Sequence, residues 1–421
     1  MRIDKWWLIF SFAAIAVITS GYIWFNTDRS ILVHRDLLQA REFSRLDKSL
    51  EQQNDDYLNG KISLKTYYWG IETVWPKQDT ANVKQLLDDW LKANPSSAYA
   101  HLFLAQHWFQ EAGKARGEKW AKDTTKQQFD EMEKLLAKAS PHLNKAIELN
   151  PLLLKAHADK LLLIRGSSKH GNASEYFAKI PERLKQSPFI WLSLLRTAYP
   201  RWGGSYHEMV FIIHNEIPKH APNINKAGSD FLQDAIIFDL LRVEMENKSY
   251  TAALILAEER IDNGTQHSDI YWAAAKAAAQ IGAYKNCITY AKIATEMRPW
   301  RSNLWGKLGY CADKEEKWDI AKNAYRHKLF LDGYSAYDLF MFGRAYMHLY
   351  QFNEAYRLFK TAEELDRSFT KYTTQFTDYI EEHESRHIHS RGKTLEDMIG
   401  TITYDPNTAD SSEINILTES L

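Results

Sequence analysis

The residues best spaced for chemistry lie near the C-terminus, where His383-Glu384-Ser385-Arg386-His387 reads HExxH. On a helix the two histidines share a face and could ligate Zn²⁺, with Glu384 as general base and His389 close by. The surroundings argue otherwise. A zinc helix of this kind is buried and apolar around the motif, whereas Glu381-Glu382 precede this one and Ser385-Arg386 lie inside it. No third ligand is visible in a later helix. The expectation is a solvated terminal helix without a metal site, His383, His387 and His389 being adventitious ligands only. No glycine-rich phosphate loop follows a strand and no G-x-S-x-G elbow occurs. The paired carboxylates Glu258-Glu259 and Glu363-Glu364 fall on helical surface, where solvation accounts for them. The chain is expected to be no enzyme and to need no cofactor. A zinc-dependent hydrolase using His383, Glu384 and His387 is the minor alternative.

A second unusual stretch is Arg201-Trp202-Gly203-Gly204-Ser205. One reading is a Gly-Gly break between helices with Trp202 packed beneath it. The other is a loop whose free amides bind an anion or a peptide carboxylate near Arg201.

The elements that must position these groups are helical. The chain has 421 residues with 53 Lys plus Arg and 54 Asp plus Glu, a net charge of −1 that argues against a nucleic-acid partner. Aromatic residues at 13%, including 14 Trp, suit helix-on-helix packing. Two cysteines, Cys287 and Cys311, make no disulfide framework and read as buried free thiols. Residues 6–25 carry no charge and are flanked by Trp6, Trp7 and by Tyr22, Trp24, Phe25, as a transmembrane helix requires. Arg2 and Lys5 ahead of it place the N-terminus in the cytoplasm of a bacterium and the remainder in the periplasm. A signal peptide cleaved near Gly21 is the rival. Beyond it, helices are expected over Leu32–Leu58, Ile62–Val74 and Val83–Ala93, then from a Ser97 cap through Phe109, over Phe129–Ala137 and over Pro141–Leu149.

Ala253, Cys287, Ala321 and Ala355 recur every 34 residues, preceded at the same spacing by Tyr250, Tyr284, Trp318 and Phe352. Trp305-Gly306-Lys307-Leu308-Gly309 aligns with Leu339-Phe340-Met341-Phe342-Gly343, and Pro299 closes a unit. This pattern resembles the tetratricopeptide repeat, W-x2-L-G-x2-Y then A-x3-F then P. The resemblance implies an all-α, right-handed superhelical solenoid of helical hairpins, in units starting near Ser268, Ser302 and Ala336, with a weaker unit over Asp234–Gly264. It also implies inward-facing positions on the first helix of each hairpin. These map to Phe238, Asp239 and Arg242, to Trp272 and Lys276, to Lys307 and Tyr310, and to Phe340, Arg344 and His348. Basic groups interleaved with aromatics suit an extended peptide with acidic side chains or a free carboxylate. The alternative is an amphipathic face whose long side chains cover apolar surface.

Phe43-x2-Leu46-Asp47, Ala115-Arg116-Gly117 and Pro200-Arg201-Trp202-Gly203-Gly204-Ser205 resemble a bacterial helical-repeat family of unknown function, over roughly Leu32–Pro222. The organisation expected is an anchor at 1–30, an atypical helical-repeat domain at 31–222, a repeat array with a capping helix at 231–390, and a flexible acidic tail at 391–421. The function expected is a membrane-anchored scaffold that binds a protein or peptide partner. An immunity- or secretion-associated protein that neutralises one partner is a narrower version.

Overall fold

The computed structural model describes residues 32–76, 82–117, 123–383, 393–400 and 402, and these form helices and turns without a strand. The apolar run at 6–25 lies outside the described residues. Among the described residues no helix is long and apolar enough to cross a membrane.

In the C-terminal half the helices Tyr250–Asp262, Tyr284–Met297, Trp318–Asp332 and Phe352–Leu365 alternate with Ser268–Gln280, Ser302–Lys314 and Ala336–His348. Both sets repeat at the 34-residue spacing seen in the sequence, and each helix packs chiefly on its neighbours in the chain. Small residues set the approach. A Cβ on Gly309 would lie 2.9 Å from the Tyr325 ring, and one on Gly343 would lie 2.7 Å from the Phe359 ring. The aromatics therefore occupy the space the glycines leave. In the first hairpin, which opens with Lys226–Glu246, Leu241 stands at the corresponding place and is buried. Thr370–His383 closes the far end, burying Thr373, Thr377 and Ile380.

Cys287 and Cys311 are joined in a disulfide with Cα atoms 6.1 Å apart. The expectation of free thiols is thus corrected. Two small residues that let adjacent helices touch also bring their sulfurs within bonding reach. Part of the expected flexible tail is ordered too: Leu395–Ile399, started by a Thr394–Asp397 capping box, buries Met398 and Ile399. The Arg326 guanidinium donates to the Ile399 carbonyl at 2.5 Å.

The N-terminal half is less regular. The expected helix over Leu32–Leu58 is two, Val33–Gln39 and Phe43–Leu58, broken where Arg41 turns left-handed at φ 59°. The two helices expected around Pro141 are one, Lys126–Leu149, because Leu136, Ala139, Leu143 and Ala146 continue a single buried stripe past the proline. This helix pairs with Ala98–Arg116 as a long hairpin. Just ahead of Pro218 the backbone at Ile212–Glu216 widens to a π-helix, relieving the clash and lost N–H that a proline imposes on the preceding turn.

Among the described residues the two halves meet in two regions. Pro188–Thr197 packs on Lys226–Glu246, continuing the helical stack through 218–230. Farther along, the Arg35 guanidinium donates to the Leu331 carbonyl at 2.6 Å, and the Trp300 indole N–H donates to Glu72 at 2.6 Å. Arg301 lies 3.4 Å from Glu72 and 3.7 Å from Asp269. Burial works against the Glu72 and Asp269 charges. The facing Arg298 and Arg301 outweigh it and hold both carboxyls below their ordinary range. Leu32, Trp300 and Leu331 form a small apolar cluster at this seam. Beside it opens a cleft of 1380 Å³.

Candidate partner-binding face

The first helices of the second and third repeats bring four of the expected positions together. Lys276 places its ammonium 5.2 Å from the Trp272 ring centre on its own helix, one turn away. On the next helix Lys307 does the same over Tyr310 at 5.0 Å, and the exposed Lys314 approaches that ring at 5.9 Å. Tyr284 meets Tyr310 edge-on at 6.3 Å. Burial, and then the nearby Lys276, pull the Lys307 ammonium below its ordinary value. Neither lysine has a carboxylate within ion-pair distance among the described residues. Two cations thus share one half-buried aromatic strip with no counter-charge, a surface held at a cost that an anionic group would relieve.

The fourth repeat extends this face less openly. Arg344 lies 3.5 Å from the Asp313 carboxylate on the neighbouring helix, and its Nε is buried without an acceptor. Burial raises the Asp313 carboxyl, with Arg344 opposing. His348 is exposed at its edge but stacks flat on Trp318 at 3.8 Å, and burial lowers its affinity for a proton. Phe340 is spent on packing, with Phe359, Phe369, Tyr372 and Phe376 around it at 5.9 to 6.3 Å.

The first repeat is engaged by the other half. Asp239 is buried and accepts from the Tyr206 hydroxyl at 3.1 Å. Phe238 stacks on the buried His267 at 6.0 Å, and Arg242 reaches Glu246 at 3.8 Å. Of these three only Asp239 reaches the N-terminal half, while Phe238 and Arg242 are engaged within the array, and the strip itself runs over two helices.

At the Gly-Gly turn the backbone amides are already used. Those of Trp202 and Gly204 donate to the Tyr199 carbonyl, and that of Gly203 donates to Pro200. The reading of these amides as a free anion cradle is corrected: the tight turn consumes them. Gly203 has φ 93°, and a Cβ on Gly204 would meet the Ala198 carbonyl oxygen at 2.2 Å, so the turn requires both glycines. Ser205 caps the following helix and Arg201 pairs with Glu246 at 3.6 Å. Trp202 is half-buried, with the Arg116 and Arg165 guanidinium carbons 5.2 and 4.7 Å from its ring centre. Ala115-Arg116-Gly117 and the Trp202 turn, far apart in sequence, meet here. Arg165 was not legible beforehand, since a lone arginine at the end of a helix carries no pattern.

His383 is exposed, bonded to the Tyr379 carbonyl at 3.1 Å and stacked on the Tyr379 ring. Glu384, His387 and His389 lie outside the described residues. Among the described residues no group of His, Cys, Asp and Glu could hold a metal ion.

Residues 30–172 match a family model described as a domain of unknown function, DUF4034. The match ends before the Trp202 turn. Among solved structures, MamA AMB-1 is 16% identical over 39% of this chain and 94% of its own length, with a TM-score of 0.31. YrrB, described as a TPR protein with an unusual peptide-binding site, is 10% identical over 69% of this chain and 97% of its own, with a TM-score of 0.30. No curated protein matches. The C-terminal half is a helical-repeat array similar to the tetratricopeptide repeat, and residues 30–172 match the model of a domain of unknown function. The 34-residue hairpins and their glycine–aromatic contacts carry the repeat assignment.

Proposed function

We propose that this protein is a membrane-anchored interaction scaffold that takes an extended, acidic segment of a protein partner along the Lys276–Lys307 strip. The observation that supports it most is the pair of unneutralised lysines on adjacent helices, each over an aromatic ring. Carboxylates spaced along a strand-like peptide would meet both ammonium groups while its backbone lies on Trp272 and Tyr310. The uncharged run at 6–25 supplies the anchor, and the positive residues ahead of it direct the repeats to the periplasm of a bacterium. An oxidising compartment suits the Cys287–Cys311 bridge.

The test is fluorescence anisotropy of the detergent-extracted full chain with a labelled oligoglutamate peptide, against an oligoglutamine peptide of equal length. The glutamate peptide binds in preference, and the double reversal Lys276→Glu/Lys307→Glu weakens it at least about tenfold while leaving the unfolding temperature unchanged. Equal binding by the folded double variant would remove the strip from the reading.

A further inference from the structure

Arg165 ends the helix Leu154–Gly166 and makes no hydrogen bond and no ion pair among the described residues. Its Nε is sealed from solvent without an acceptor. The Trp202 ring faces its guanidinium at 4.7 Å. The charges nearest it are of its own sign. Burial first, then Arg196, Arg201 and Arg116, draw its pKa down to about 10, with only Tyr199 opposing, so it stays cationic at neutral pH. The other arginines are answered: Arg201 by Glu246 at 3.6 Å, Arg196 by the Asp269 field, and Arg116 by the Gly117 carbonyl at 3.1 Å. Arg165 is the charge left over.

Arg165 is half-buried, and a guanidinium whose Nε is sealed without an acceptor is costly to hold unless a counter-charge meets it. Beside Arg165 and Trp202 lies a pocket of 610 Å³ that both residues line, large enough for a small organic molecule. Its wall includes Ser167 and Asn172, whose Oγ and Oδ1 accept the Lys169 and Glu175 amides and leave a hydroxyl hydrogen and an amide NH2 to donate, whereas the Thr197 hydroxyl is spent on the Leu194 carbonyl. Three carboxylates, Asp130, Glu133 and Glu208, also line it, and none reaches Arg165. Glu133 is turned to His170 at 3.4 Å and to Lys169 at 3.9 Å.

We propose that Arg165, stacked on Trp202, is the anchor of an oxyanion-binding site that takes the carboxylate or phosphate group of a small ligand seated in this pocket. The fork of a guanidinium matches two oxygens of either group, and the indole holds it in one plane. The site is separate from the lysine strip and stands whether or not that strip binds a peptide.

The experiment is isothermal titration of the detergent-extracted full chain with inorganic phosphate and, separately, with acetate, chloride replacing each at constant ionic strength. Saturable binding of either anion, with a rise in unfolding temperature that chloride does not produce, supports the site. The two arms decide which oxyanion it prefers. Arg165→Met is expected to weaken binding by about 30-fold, as loss of one partner of a buried charged hydrogen bond does. The titrations are repeated in the Lys276→Glu/Lys307→Glu background, so that affinity of the lysine strip for the anion does not contribute, and saturable binding is expected to persist there. If Arg165→Met does not fold, Trp202→Leu removes the stacking face and is expected to weaken binding about fivefold. Absence of saturable binding by the wild-type chain overturns the proposal, as does undiminished binding by whichever of these two variants folds.

Discussion

The repeat array and the N-terminal half are both helical, yet they hold together by different means. In the array the two helices of a hairpin meet through a small residue and one large ring, and the same contact recurs from unit to unit, as Gly309–Tyr325 and Gly343–Phe359 do. In the N-terminal half, polar groups are buried in pairs that occur once. Asn54 is fully buried, donates to the Leu152 carbonyl at 3.1 Å and accepts from the Leu154 amide at 3.2 Å. The buried Tyr57 hydroxyl bonds Ser187, 130 residues away, at 2.7 Å. His34 bridges the Gly70 carbonyl and the Ser49 hydroxyl at 2.9 Å each. Stability in the array is close to a sum of neighbour contacts. In the N-terminal half it depends on long-range bonds that no neighbour can replace.

That contrast can be broken most directly at Asn54. Asn54→Ala leaves a buried carbonyl and a buried amide without partners, and should cost about 3 kcal/mol. Unfolding followed by denaturant should show the loss across the whole N-terminal half. A cost under about 1 kcal/mol would mean that this half tolerates local damage as an array does.

The disulfide is next. It closes a separation of 24 residues between adjacent hairpins, and its reduction, or Cys287→Ser with Cys311→Ser, should cost about 3 kcal/mol. Hydrogen exchange should then rise over the helices Tyr284–Met297 and Ser302–Lys314 and fade with distance along the array. An equal rise in the N-terminal half would show one cooperative unit in place of two.

The smallest effect sharpens the array side of the comparison. Gly309→Ala drives a methyl against the buried Tyr325 ring and should destabilise by about 1–3 kcal/mol. On the same helix, a Cβ at Gly306 meets only the Lys328 stem, at 3.1 Å. That stem can move, so Gly306→Ala should be neutral or stabilise by up to about 1 kcal/mol through helix propensity. Thermal unfolding of the two variants side by side decides it, and similar losses would mean that the glycines do not set the helix approach.

Where an element repeats, it was legible in advance. The starts at Ser268, Ser302 and Ala336 follow from the spacing of aromatics and small residues, because each hairpin solves the same local packing problem. Non-repeating boundaries were harder. Arg41 breaks a helix whose apolar pattern runs on, and Pro141 sits inside one that periodicity would end there, since packing across the chain overrides local propensity in both places. Of the candidate site, Lys276 and Lys307 were named in advance only through the resemblance to the tetratricopeptide repeat, since one repeat unit from Lys276 stands Tyr310 and register alone does not pair the two lysines. The engagement of Phe238, Asp239 and Phe340 was not foreseeable, since it depends on which elements cover them.

The amino-acid order by itself determined the helical class and the 34-residue unit, which depend on contacts within one or two hairpins. Only the tertiary structure decided that Cys287 meets Cys311, that Arg116 and Arg165 converge on Trp202, and that Arg35 and Glu72 close the N-terminal half onto the third repeat. Those contacts join residues from 24 to 296 positions apart. At such separations the position of one group is fixed by the summed packing of everything between, and no local pattern records it.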